Sequence, residues 1–86
     1  MSKSTIFVGN LEEGIRYEEL GKIFNYFGDI KYIRIIRKKR IAFVTMFDPR
    51  DAERAILGLN NTELRDRQIK VEWALPIKNQ KEKQVK

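Results

Sequence analysis

Residues 37–44 read RKKRIAFV: four consecutive cations run straight into a short apolar segment. Which face of that segment is buried decides the fold. It continues as IAFVTMF (41–47), a β-forming run. Side chains alternate between the two faces of a strand, so two assignments compete. One sends Ala42, Val44 and Met46 inward and Ile41, Phe43 and Thr45 outward. The other buries Thr45 and exposes Val44 and Met46, which makes a poorer core. The first is adopted, and it leaves an aromatic ring on an outer surface beside the cations. Arg37, Lys38, Lys39 and Arg40 repel one another, so something anionic is expected opposite them.

Working outward, DIKYIRII (29–36) reads as the partner strand across this basic turn. Ile33 and Ile35 share one face, and Tyr32, Arg34 and Ile36 share the other. Upstream, TIFVGN (5–10) is a further strand ending in a Gly-Asn turn signal, with Ile6 and Val8 inward and Phe7 outward. Between these strands YEELGKIFNYFG (17–28) carries Leu20, Ile23, Phe24 and Phe27 at i, i+3, i+4 and i+7, the stripe of an amphipathic helix. Gly28 is placed to close it as a C-terminal cap, whereas Arg16 is a poor N-cap. Downstream, DPRDAERAILGL (48–59) is a well-marked helix. Asp48 can cap it, Pro49 suits its first position, and Asp51 stands where a capping-box acid would. NNTELRDR (60–67) is turn-like with a short extended piece at 63–64, and QIKVEWA (68–74) alternates as a fourth strand with Ile69, Val71 and Trp73 inward.

The order is β-α-β-β-α-β, a ferredoxin-like α+β sandwich: a four-stranded antiparallel sheet with two helices on one face. Two helices cover one face only. The other face collects Phe7, Tyr32, Arg34, Ile36, Ile41, Phe43, Thr45, Lys70 and Glu72, an unusual mixture of aromatics and cations for a solvent-facing sheet.

Eighty-six residues make one small domain. The expected organisation is an N-terminal arm at 1–4, a domain at 5–75 and a basic, flexible tail at 76–86 with four lysines in residues 75–86. The formal net charge of +6 favours an acidic partner, and segment 31–40 carries six cations and no acid. Glu12, Glu13, Glu18 and Glu19 gather instead near the start of the chain. With neither cysteine nor histidine there is no disulfide framework and no structural zinc site, so neither metal nor cofactor is expected. No apolar run reaches the length of a membrane helix. A nuclear or cytosolic location is expected, nuclear first.

Here the motifs become specific. IFVGNL (6–11) resembles the hexamer of the RNA-recognition motif, and KRIAFVTM (39–46) resembles its octamer. Each alone is a weak signal. Together, in a βαββαβ frame covering residues 4 to 75, they are a strong one. FDPRDAERAI is similar to the corresponding segment of serine/arginine-rich splicing factors, and LRDRQIKVEWALPIKN to that of fungal and plant meiotic regulators. The resemblance implies that hexamer and octamer lie on the two central strands and that Phe7 and Phe43 stack on bases of single-stranded RNA. It makes Lys39 a phosphate contact, puts Asn10 at the rim of the site, and has residues near Ala74 offer backbone groups to a base edge. Ile41, Tyr32, Arg34, Lys70 and Arg40 complete the expected RNA-binding set. Three positions depart from the octamer: Arg40 stands where a glycine is usual, Ile41 replaces a stacking aromatic, and Met46 replaces an inward one.

The chemistry agrees with the resemblance. A sheet face cannot enter the deep, narrow groove of an RNA duplex, so the expected partner is unpaired RNA. Aromatic planes accept any base, and the cations make affinity fall with salt. Duller roles stand beside these: a half-exposed strand tyrosine for Tyr32, a solvated hairpin tip or localisation signal for 37–40, and core packing for Trp73. Enzyme chemistry finds no support, because no nucleophile–base pair or phosphate-binding loop is present and the acids sit in caps and on helix faces. The competing reading is a protein-binding member of the family, gripping a partner within a ribonucleoprotein complex through the sheet or the acidic patch. The expected state is monomeric, without membrane association.

Overall fold

The computed structural model describes residues 4–74. The expected arm at 1–4 therefore falls almost wholly, and the tail at 76–86 entirely, outside the described residues. The elements are β1 (Thr5–Gly9), α1 (Tyr17–Asn25), β2 (Ile30–Ile36), a 3₁₀ turn at Arg37–Lys39, and β3 (Ile41–Met46). They continue with α2 (Pro49–Leu59), β4 (Glu63–Leu64), β5 (Arg67–Gln68) and β6 (Lys70–Trp73). β2, β3, β1 and β6 lie side by side in that order as one antiparallel sheet. The two central strands are thus β3 and β1, the strands that carry the octamer and the hexamer.

The inward half of the parity assignment holds throughout. Ile6, Val8, Ala42, Val44, Met46, Ile69 and Val71 are all buried against Leu20 and Phe24 of α1 and Ala52 and Ala55 of α2. Burying each of the larger side chains contributes roughly 1.5–3 kcal/mol relative to leaving it in water. Ile33 and Ile35 are only half-buried, because β2 is an edge strand. Leu11 and Ile15 in the β1–α1 loop are also fully buried, although they fall outside every periodic segment.

Two local expectations are corrected. Helix α1 ends at Asn25 with a right-handed Tyr26 as its C-cap, so Gly28 does not close it. No glycine of the described residues has a positive φ. Gly28 is required for proximity instead: a β-carbon there would strike the Asp51 carboxylate. Asp51, for its part, does not serve a capping box but holds the Arg54 guanidinium at 2.7 Å. The short extended piece expected at 63–64 is β4, and it pairs with β5 in a small hairpin closed at Arg65 and Asp66 with both residues at positive φ, as a type I′ turn requires.

The α2 start is as expected, with the Asp48 carboxylate accepting from the Arg50 N–H at 2.8 Å and Pro49 at the first position. At α1 the Glu19 carboxylate accepts from the Arg16 N–H at 2.8 Å. That is half of a capping box, since arginine has no acceptor to return the bond.

Candidate nucleic-acid interface

Strand register arranges the uncovered face in rows. Glu72, Phe7, Phe43 and Arg34 stand in register across β6, β1, β3 and β2. Phe7 and Phe43 occupy its centre, their ring centroids 5.9 Å apart and their planes at 63°. This edge-to-face contact fixes both rings while leaving each only part-covered. Phe7 depends on a neighbour the sequence reading passed over. A β-carbon on Gly9 would lie 2.9 Å from Cε2 of the Phe7 ring, so the ring rests along β1 in the space that the missing side chain leaves.

The next row contains Thr5, Thr45 and Tyr32. Thr45 has the outward parity expected of it yet is only 6% exposed, and its hydroxyl is 2.9 Å from that of Thr5. It forms floor between the aromatics. Tyr32 is 56% exposed. Toward the basic turn, Ile36 pairs with Ile41 and Gly9 with Lys70. Both isoleucines are half-buried, and Lys70 is exposed.

The four cations of the turn are not equivalent. Arg37 donates through Nη1 to the carbonyls of Glu13 (3.1 Å) and Ile15 (2.6 Å), tying the β2–β3 turn to the β1–α1 loop. Arg40 adopts the left-handed conformation, φ 59° and ψ 41°, where the octamer usually has glycine. Its carbonyl accepts from the Leu11 N–H at 3.0 Å and its guanidinium lies 3.7 Å from Glu13. Lys38 and Lys39 are exposed and form no ion pair among the described residues. The repulsion that made the run conspicuous is therefore relieved by splaying: one cation is spent on carbonyls and another lies beside an acid.

Two of the expected site residues have other duties. Asn10, at φ 61°, donates from Nδ2 to the Gln68 carbonyl at 2.8 Å. Its Oδ1 and its carbonyl both accept from the Arg67 guanidinium, at 2.6 and 3.1 Å. Asn10 fastens the end of β1 to the β4–β5 hairpin. The Ala74 N–H donates to the Thr5 carbonyl at 3.1 Å, extending the β1–β6 ladder and leaving the Ala74 carbonyl as its polar group for a ligand. Trp73 is half-buried against the core, as its packing role requires.

The acidic cluster is engaged as well. Arg65 bridges Glu12 and Glu19 at 2.9 and 2.8 Å. The Gly14 N–H, followed by Arg65, holds the Glu12 carboxyl below its usual range; Arg65, followed by the Arg16 N–H, does the same for Glu19. Glu13 lies beside Arg40, and Glu18 is 3.6 Å from Arg16. What reads in sequence as an acidic patch is a set of four glutamates laced by three arginines, with Arg65 shared between two of them.

One aromatic at the far end of the face, Phe47, was not assigned to the site. Phe47 follows β3 with the parity of Phe43 and Thr45 and is 65% exposed. Alternation from Phe43 was the signal that could have found it. Lys31 is the extra residue of a bulge in β2, and its ammonium stands 5.9 Å from the centre of the Phe47 ring.

Comparison with known proteins follows the same lines. The family model for the RNA recognition motif matches residues 6–70. Polyadenylate-binding protein RBP45 of Nicotiana plumbaginifolia is 33% identical over 72 residues, covering 84% of this chain and 18% of the relative. Protein MEI2-like 3 of Arabidopsis thaliana is 38% identical over 77 residues, covering 88% and 10%. Serine/arginine-rich splicing factor 7 of Mus musculus is 38% identical over 72 residues, covering 83% and 27%. The chain thus spans about a quarter or less of the length of these curated relatives. Among solved structures, the Sxl-lethal protein–RNA complex superposes with a TM-score of 0.80 at 30% identity, over 87% of this chain and 48% of that one.

Proposed function

This chain belongs to the RNA recognition motif family, and on that premise we propose that it binds single-stranded RNA on the uncovered sheet face. Bases stack on Phe7 and Phe43, while Lys39, Lys38 and Arg40 at the rim meet phosphate. Arg34, Tyr32, Lys70, Ile41 and the Ala74 carbonyl line the path. Asn10 acts through the strand end it secures. The observation that carries the reading is the edge-to-face pair at the centre of the sheet: two rings in mutual contact on a face that no helix covers.

A role in RNA processing, in the nucleus and within a ribonucleoprotein complex, extends the proposal. Relatives named as a splicing factor and a polyadenylate-binding protein support it. The activity is binding rather than catalysis. The alternative is a protein partner gripped through the sheet or through the acidic face, where Glu12 and Glu19 are held on Arg65 and Glu13 and Glu18 are largely exposed.

The test is an anisotropy titration with single-stranded RNA and with duplex RNA of equal length at physiological salt. Single strands should bind much more tightly. Phe7→Ala and Phe43→Ala should each weaken that binding by about 1–3 kcal/mol without unfolding the domain. Equal affinity for single strand and duplex would show that charge alone drives association and would refute the stacking reading.

A further inference from the structure

We propose that the RNA track does not end at the Phe7–Phe43 pair but continues along β3 to a second stacking site built from Phe47, Tyr32 and Lys31. The proposal rests on the RNA-binding reading above and adds to it a separate base-contacting position. Four features carry it.

Position comes first. Phe47 has the same parity as Phe43 and Thr45, and its N–H donates to the Asp29 carbonyl at 3.2 Å, so β-type pairing with the β2 side persists at that point. Four residue steps separate the two positions, about 13 Å along the same face. Tyr32 faces Thr45 at the midpoint between them.

Exposure is the second feature. Phe47 and Tyr32 are 65% and 56% exposed, whereas Thr45, between the two aromatic sites, is only 6% exposed and shares a hydrogen bond with the half-buried Thr5. The face between the two aromatic sites is therefore low and closed, and a strand of nucleic acid can cross it without displacing a side chain.

The third feature is the bulge. Register passes from Ile30↔Met46 directly to Tyr32↔Thr45, leaving Lys31 unpaired. Two residues of β2 thus oppose one of β3, which interrupts the alternation and re-aims a side chain. Strict alternation would have sent Lys31 to the opposite face from Tyr32. Instead its ammonium stands 5.9 Å from the Phe47 ring centre.

Charge is the last. A cation beside an exposed ring suits a nucleotide, which brings a π-face and a phosphate together. The acids nearby are Asp29, which is exposed, and Asp48, whose carboxylate is occupied by the Arg50 N–H and guanidinium. Asp29 offsets part of the Lys31 charge. Stacking, rather than phosphate attraction, is accordingly the main contribution of this site.

The experiment uses random-sequence single-stranded RNA of two lengths, a dinucleotide and an octanucleotide, with the full chain and its variants. A dinucleotide is accommodated at the central pair, one base on each ring; an octanucleotide reaches both sites. Phe47→Ala should weaken octanucleotide binding by about tenfold, within the range of one stacked base, and leave the dinucleotide unchanged. Phe47→Leu, which keeps apolar bulk but has no π-face, should show the same selective loss. Phe43→Ala should weaken both lengths. If Phe43→Ala weakens both while Phe47→Ala and Phe47→Leu change neither, the second site does not exist and the first stands. If Phe43→Ala also changes neither, the underlying RNA-binding reading is wrong. Full octanucleotide affinity in Phe47→Leu alone would refute stacking at this position.

Discussion

Replacing Arg40 by glycine should make the protein more stable and a weaker ligand for RNA at the same time. Arg40 sits at φ 59° and ψ 41°, held there because its N–H donates to the Arg37 carbonyl and its carbonyl accepts from the Leu11 N–H. For a residue with a β-carbon the left-handed region costs roughly 1–2 kcal/mol. Glycine removes that cost but gains freedom in the unfolded chain, which offsets about 0.4–1 kcal/mol. The ion pair lost with Glu13 is exposed and long, 3.7 Å, and pairs of that kind contribute little. The balance is a gain of about 0.5 kcal/mol, a rise in Tm of about 2–4 °C for a domain of this size. Arg40→Ala is the control, since it loses the same charge and keeps the strained backbone. Thermal unfolding by circular dichroism should rank the variants glycine above wild type, with alanine no better than wild type. In RNA titrations both should lose affinity alike, the salt dependence flattening by about 0.7 log units of slope if Arg40 meets one phosphate. A glycine variant no more stable than the alanine variant would refute the backbone argument. An unchanged salt slope in both would leave Arg40 a hinge with no RNA contact.

Two more substitutions probe the supports of the site. Gly9 has an ordinary negative φ, so Gly9→Ala is acceptable to the backbone while its β-carbon forces the Phe7 ring to move. The fold should survive and RNA affinity should fall by up to about tenfold, toward the loss expected for Phe7→Ala; unchanged affinity would mean that the Phe7 plane is not a stacking surface. Arg65→Gln tests the clamp on Glu12 and Glu19. Their carboxyl pKa values are depressed in the folded protein, so the stabilisation they confer is present above the ordinary carboxylate range and is lost as pH falls through and below it. Urea unfolding across that range should show wild type losing stability steeply with acid and Arg65→Gln starting lower and losing less. Parallel curves would assign the acid sensitivity to other carboxylates, with Asp48, depressed by the Arg50 N–H and side chain, the next to test.

What the linear chain determined is whatever local period and parity can carry. Alternation in IAFVTMF and TIFVGN, with a helical stripe on either side of the 37–40 turn, sufficed for the element order, the covered face and the outward Phe7 and Phe43. Each of those inferences spans a few neighbouring residues and follows from the geometry of a strand or a helix. The same local logic failed wherever a residue's task depends on a distant partner. Gly28 looks like a helix cap by position, but what demands glycine there is Asp51 on the other helix. Nothing in the sequence around Asn10 marks the bonds that its amide makes to Arg67 and Gln68, more than fifty residues on. Four glutamates read as one acidic patch until Arg65 arrives from the β4–β5 hairpin to bridge two of them. The bulge at Lys31 shows why no closer reading of the sequence would have helped. A strand's alternation is a local rule, but the step at which it breaks is chosen by the register of β2 against β3, and register is a property of two strands together.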